Sequence, residues 1–464
     1  MTKKTRTILF FFLMIFFVAA ATGAIFYSQG YRFDLKNLKM LKTGGISIKA
    51  SPINARVFLN QKLAGTTMPM ADYVFVQGLL PKTYEVKVEK DGYAPWSKTL
   101  EVEETKVTEA KSVVLFPQSI QFNGKKFGLE NIQPLSSEKI VLLHQPSDEA
   151  EKVSIYDLNR EEEIGIASIN ALLASNDLTD VEVLDPQNLL FILKNNKSGK
   201  TGYYYVNLQS QSLAAQKLDF IGEGSDNFAF ASSFGDKIIF WRENEAIFKR
   251  LLSSDGISQK FSAEKTAAFS LSEGYFYMLS KEGILSKTDQ NKNFPSQRLA
   301  DQPLEIKNAG DLKISVFAGQ VFLKDGTDLY LLDEKERSLK KIFEGVNDLK
   351  ISPFGDKLLC HLQNELWVYT LKDIDAPYQE KAGTKIFIFR FSQPIQRSDW
   401  IDDNYFVFST DNKIKISEMD IRSNINTYEI AGFESSDIWF SQKNKSLYIL
   451  SKETLLVSDK LLSR

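Results

Sequence analysis

A chain of 464 residues, 43% hydrophobic and 25% charged, is too long for one ordinary domain and too apolar to be disordered. Its formal net charge is −2, and with Lys3, Lys4 and Arg6 at the start the remainder carries −5, so it has no basic surplus with which to bind nucleic acid. A single cysteine, Cys360, excludes an intrachain disulfide, and 34 Phe with 17 Tyr favour β structure.

Residues 1–6 read as a short cytoplasmic tail and 7–27 as a transmembrane anchor. No charged residue occurs from Thr7 to Tyr31, and the run from Ile8 to Phe26 is long enough to cross a ~30 Å hydrocarbon layer as a helix. The cations before it favour an inside N-terminus. Arg32, Lys36, Lys39 and Lys42 after it weaken that bias, but a long folded region translocates largely regardless of charge. Ala19-Ala20-Ala21 offers the alternative of a cleaved signal sequence. Both readings put the body on the extracytoplasmic side. Residues 28–43 read as a linker.

Residues 44–117 change character. Ile46 and Ile48 share one strand face, and Ala55–Asn60 is a second strand. Tyr84, Val86 and Val88 alternate with Glu85, Lys87 and Glu89, and Leu100-Glu101-Val102-Glu103 resumes the pattern after an Asp91-Gly92 turn. This clean period of two predicts a small antiparallel sheet with one wet face. The run Ser51-Pro52-Ile53-Asn54-Ala55, then Val57-Phe58-Leu59-Asn60, Gly65-Thr66 and Asp91-Gly92-Tyr93-x-Pro95-Trp96 resembles a PEGA domain. The resemblance implies a small β-sandwich of extracytoplasmic proteins with no catalytic residues. Tyr93 and Trp96 are the candidates for an exposed aromatic binding patch; the alternative is that they pack over the end of the sheet.

Residues 118–464 repeat. Ser232-Ser233-Phe234-Gly235-Asp236-Lys237-Ile238-Ile239 and Ser352-Pro353-Phe354-Gly355-Asp356-Lys357-Leu358-Leu359 are near copies 120 residues apart. Apolar strands begin near Ile140, Leu189, Ile238, Tyr275, Val321, Leu358, Tyr405 and Leu447, about 44 residues apart on average, and each is followed by a second strand. Short strands at this period, without long amphipathic helices, predict a β-propeller of four-stranded blades. The count of pairs gives eight blades, or seven if the first or last pair is a packing extension. The pattern resembles TolB-like and WD40-like propellers, though the Gly-His and Trp-Asp signatures are missing. Closure requires a strand from the 112–127 region to cover the last edge.

Candidate chemistry is sparse. His144 and His361 each end an apolar strand, and Cys360 lies on a strand face with Leu358 and Leu362, as expected of a buried inert thiol. Nitrogen- or sulfur-ligated zinc, a Ser-His-Asp triad and a phosphate-binding Gly loop all lack their residues in the required pattern. Lys324-Asp325-Gly326-Thr327-Asp328 and Asp399-Trp400-Ile401-Asp402-Asp403-Asn404 cluster oxygen ligands as a calcium site does, but hairpin turns account for both. Glu161-Glu162-Glu163 reads as a solvated loop. The chain is thus expected to be a mainly β, single-pass membrane protein of the cell envelope. It would bind or scaffold protein or glycan partners through its PEGA-like and propeller surfaces, with no cofactor, metal or catalytic residue. The alternative is a carbohydrate-active enzyme using two carboxylates at the propeller channel.

Overall fold

The computed structural model describes residues 3–34, 38–70, 72–145, 152–233, 236–252, 257–262, 265–291, 295–434 and 437–462. The turn Phe234-Gly235 of the first repeat copy lies outside them. An N-terminal helix, Lys3–Ser28, contains a 25-residue stretch that is apolar enough to cross a membrane and has no part buried in the protein. The segment expected to be a linker is instead a two-stranded hairpin, Tyr31–Asp34 with Lys39–Lys42.

The small domain is a sandwich. Gly44–Ser51 lies between Tyr73–Leu79 and Val107–Val114, and the facing sheet runs Lys62–Thr66, Arg56–Leu59, Lys82–Glu89, Trp96–Val102. Ile46, Ile48, Val57, Val86, Val88, Leu100 and Val102 fill the space between and are fully or almost fully buried, with their charged neighbours outward, as the alternation predicts. The two sheets are those of the sandwich that the PEGA resemblance implies; the single antiparallel sheet read from the alternation alone is corrected, since Gly44–Ser51 pairs with Val107–Val114 in parallel. A parallel pair needs a long crossover, and here the entire facing sheet supplies it. Gly44 sits so close to the chain at Glu103 that a Cβ would stand 2.2 Å from the Glu103 carbonyl oxygen.

The remainder forms eight four-stranded antiparallel sheets among the described residues. Seven are built from four consecutive strands. The eighth takes Asp437–Ser441, Ser446–Ser451 and Thr454–Ser458 and receives Phe122–Lys126 as its outermost strand, so the two ends of this region close on each other. The eighth sheet also packs on the first. Leu129, Ile140, Leu142 and Tyr156 meet Tyr448, Leu450 and Leu455, and the Ser441 hydroxyl donates to the Ser137 carbonyl at 2.9 Å. All eight strand starts read from the sequence fall in the second strand of a sheet, and their partners fall in the third. Among the described residues after the N-terminal helix, only a six-residue helix, Ala167–Leu172, interrupts the β structure.

Strand direction alternates within each sheet. Loops joining first to second and third to fourth strands therefore gather at one end of the ring, and the remaining connections gather at the other. This separation positions everything that follows.

Candidate functional site

The outer strand of the small domain, Trp96–Val102, lies against the loop that joins the third strand of the seventh sheet, Lys413–Glu418, to the fourth, Thr427–Gly432. Lys98, 1% exposed, reaches across. Its ammonium meets Glu418 Oε1 at 2.8 Å and donates to the carbonyls of Asp420 and Asn424, both at 2.7 Å, so three donors have three acceptors. The Trp96 indole N–H donates to Glu418 Oε2 at 2.7 Å, and Asn426 donates its backbone N–H and its side-chain amide to Oε1. Asn426 exchanges further bonds with the Ser97 backbone. Arg422 chelates Asp420 and donates to the Glu109 carbonyl at 3.0 Å. Beside this network, Phe116 packs edge-on to Tyr405 at 5.3 Å and against Tyr428 at 5.9 Å. Burial pushes the Tyr405 hydroxyl far above its ordinary range, while it accepts from the Val114 N–H. A buried charge network with its partners in place is a structural joint.

That joint corrects the aromatic-patch expectation. Trp96 is 1% exposed, because a buried indole N–H needs an acceptor and Glu418 of the propeller provides it. Tyr93 is half-buried, with the Lys90 ammonium 5.2 Å from its ring centre and its backbone bridged to Pro117. Neither side chain forms an outward binding surface.

The larger openings lie at the other end of the ring. A cleft of about 530 Å³ runs into the channel between the innermost strands of the second to fifth sheets, lined in part by Glu182, Phe228, Phe230, Phe269, Leu271 and Lys313. A second opening of about 420 Å³ adjoins it, and Asp226, Arg242, Ala267 and Ala309 border both. Arg242 holds Asp226 in a two-point ion pair and donates to the Ala267 carbonyl, so it ties the third sheet to the fourth. Lys281 pairs with Glu245 and Lys324 with Asp311 around the rim. Glu182 takes no part in these pairs. Burial raises its carboxyl above the usual range, the Asp180 charge adds to this, and Lys313 opposes it. The cleft thus offers aromatic rings, ion pairs and one carboxyl held toward its neutral form.

The remaining candidates are structural. The His144 Nε2 meets both the Ser154 hydroxyl (3.1 Å) and Glu163 Oε1 (2.8 Å), and Ser154 also donates directly to Glu163 at 2.5 Å. A catalytic triad needs serine and carboxylate on opposite ring nitrogens, so this trio is not one. Glu163 also pairs with Lys126, and Glu162–Gly165 is the outer strand of the first sheet where the sequence reading has a loop. His361 is buried, bonds the Ile395 carbonyl at 2.9 Å, and is pushed toward its neutral form by burial. Burial pushes the Cys360 thiol well up.

The acidic clusters serve turns. Asp325 accepts from the Lys307 and Asn308 N–H groups, and Asp402 Oδ1 accepts from Asn404 and Tyr405. Asp399 accepts from Trp400 and, across the sheets, from Phe440 at 2.9 Å, while Asp403 accepts from Phe354 of the sixth sheet at 2.7 Å. Burial raises Asp399 and Asp402 to about 6. Among the described residues no three His, Cys, Asp or Glu side chains converge as metal ligands.

The sequence reading missed the innermost strands, which line the channel, although they carry a signal. An Asp or Asn followed by an apolar residue occurs in or beside seven of them: at or near the start in Asn131-Ile132, Asn227-Phe228, Asp311-Leu312, Asp348-Leu349 and Asp437-Ile438, midway in Asp180-Val181, and at the end in Asp399-Trp400. In four of these the side-chain oxygen accepts the next residue's N–H at 2.7–2.9 Å, beside a break in strand register for the first three of them.

Residues 43–114 match the family model of the PEGA domain. They form a PEGA domain. Similar solved structures include the computationally designed Ika8 protein (12% identity, TM-score 0.43, 73% of this chain and 98% of that one). Kluyveromyces lactis Hsv2 is another (14%, 0.38, 66% and 100%), as is the β-propeller domain of Myceliophteria thermophila Cps50, Swd1 (13%, 0.35, 61% and 99%). No protein of curated function matches the chain. The order of the strands within the sheets makes the region beyond the PEGA domain a propeller-like array of repeated four-stranded sheets.

Proposed function

We propose that this is a membrane-anchored, extracytoplasmic binding and scaffold protein, whose propeller engages a protein or glycan of the cell envelope through the end that bears the clefts. The observation that carries this reading is the opposition of the two ends. The PEGA domain is fixed by Lys98, Trp96 and Ser97 to the loop end of the seventh sheet, whereas the Arg242–Asp226 rim opens at the other end. A rigid ring with one face committed and the other open suits recognition by loops and channel walls. The apolar N-terminal helix supports anchorage to a membrane.

The enzyme reading draws on Glu182, the one cleft acid with a raised carboxyl. Its companions Asp226, Glu245 and Asp311 are engaged by Arg242, Lys281 and Lys324, which favours binding over carboxylate-pair chemistry. The test is affinity capture from solubilised envelopes with the full chain, comparing wild type with Arg242→Ala/Phe228→Ala and with Leu63→Glu on the PEGA edge. Loss of the same defined partner with the cleft variant, and its retention with Leu63→Glu, is the expected result. The reverse pattern overturns it.

A further inference from the structure

The hairpin that follows the N-terminal helix has two unlike faces. Its register places Tyr31 opposite Lys42 and Phe33 opposite Met40, so these four share one face; Arg32, Asp34, Lys39 and Leu41 share the other. Phe33 is 50% exposed and Met40 46%, and Leu38 in the connecting turn is 73% exposed. Lys42 sits with its ammonium 5.6 Å from the Tyr31 ring centre. An apolar centre flanked by an aromatic and a cation has the composition of a surface that lies at the boundary of a bilayer.

The position of the hairpin names the occupant of that face. Only Gln29 and Gly30 separate it from the helix end, so it cannot leave the membrane surface if the helix spans the bilayer. It is also held. Tyr31 packs edge-on to Phe26 at 5.5 Å, and the Arg32 guanidinium lies 3.5 Å from the Tyr27 ring centre and donates to the Tyr27 carbonyl. Thr43 donates its N–H and its hydroxyl to the Gly30 carbonyl, and its own carbonyl accepts from Thr105 of the PEGA domain. Gly78 of that domain leaves the space that the other side of the Arg32 guanidinium approaches. The hairpin is therefore a wedge between the helix and the PEGA domain. Arg32, Lys39 and Lys42 against Asp34 leave it cationic, which matches anionic headgroups.

We propose that the hairpin Tyr31–Lys42 is an interfacial anchor whose Tyr31, Phe33, Met40 and Lys42 face lies in the headgroup layer of an anionic phospholipid bilayer, fixing the PEGA domain at the membrane surface. The inference rests on the anchored reading of the helix. It also gives the cations that follow the apolar span a role in binding lipid.

The test uses the full chain in nanodiscs with spin labels on Phe33→Cys, Met40→Cys, Leu63→Cys on the PEGA edge and Phe16→Cys within the helix. Cys360 stays unlabelled because it is buried. The ratio of collisions with oxygen to collisions with a water-soluble nickel complex is expected to be several-fold higher at positions 33 and 40 than at 63. It is also expected to fall when phosphatidylglycerol is replaced by phosphatidylcholine or when Lys42→Glu is added. A helix label in lipid with hairpin labels as aqueous as Leu63→Cys overturns the inference alone. An aqueous helix label overturns the anchor reading and the inference with it. Insensitivity to both lipid charge and Lys42→Glu overturns the anionic partner.

Discussion

The two ends of the propeller use charge in opposite ways. At the PEGA joint, Lys98, Glu418 and Asp420 are buried and each finds its partner within the chain, so removing any one strands the others in a poorly polarisable interior. At the far end, Arg242–Asp226 and Lys281–Glu245 stand at the rim of an open cleft, in contact with solvent, and Glu182 lies inside it. The first arrangement holds two domains in one orientation. The second costs little to rearrange and leaves charge available to a ligand. Ion pairs that look alike in sequence thus differ in consequence according to how much water surrounds them.

The largest effect that sharpens this contrast is expected from Lys98→Met. It leaves Glu418 buried without its cation and should destabilise the fold by about 3–5 kcal/mol. Urea unfolding measures the loss, and limited proteolysis between the PEGA domain and the first sheet should accelerate. Adding Glu418→Gln, which keeps an acceptor and removes the stranded charge, should recover part of the stability. If Lys98→Met unfolds like wild type, the joint does not hold the domains.

Next in size, Trp96→Phe keeps one aromatic ring but removes both the N–H to Glu418 and the pyrrole half of a buried indole, at an expected cost of about 2–4 kcal/mol in the same unfolding experiment.

Asp402 gives an effect of similar or smaller size with a distinctive pH signature. Its folded value of about 6 lies above the ordinary 3.8, so the native state holds a proton that the unfolded chain releases, and stability falls as pH rises from about 4 to about 6. Asp402→Asn keeps the turn-forming oxygen and abolishes this loss. The variant should gain about 1–3 kcal/mol over wild type at pH 7.5 and lose the advantage at pH 4, as read from unfolding at the two pH values. A pH-independent difference would refute the assignment. Asp399 shifts in the same direction but accepts N–H groups with both oxygens, so Asn there sacrifices a bond between the seventh and eighth sheets.

The smallest stability effect belongs to Arg242→Ala. Its partner Asp226 has a side chain 55% exposed, but Arg242 is mostly buried and also bonds the Ala267 carbonyl, so the change should cost about 1–2 kcal/mol while altering ligand capture. A cost as large as that of Lys98→Met would remove the distinction between the two ends.

Much of this architecture is legible in the residues, for a physical reason. The second and third strands of each sheet are covered on both faces by neighbouring sheets, so they read as dense apolar runs such as Leu189-Leu190-Phe191 and Tyr405-Phe406-Val407-Phe408. The PEGA strands alternate because one of their faces meets a core and the other meets water. The outer strands escape the same reading. Gln259–Lys260 and Gln297–Arg298 are two residues long and exposed, and the innermost strands mix apolar and polar residues along a wet channel.

The site residues divide along the same line. Cys360 and His361 declare their burial through apolar neighbours next to them in sequence, whereas nothing near Trp96 or Lys98 reveals a partner 322 residues away. The sequence by itself determined the apolar span, the PEGA domain and the repeat, because each is written in local periodicity and turn chemistry. Only the tertiary structure decided that Trp96 is a joint, that Asp226 is paired and Glu182 raised, and that the hairpin faces the helix end. These depend on which distant groups meet and on how much water remains between them.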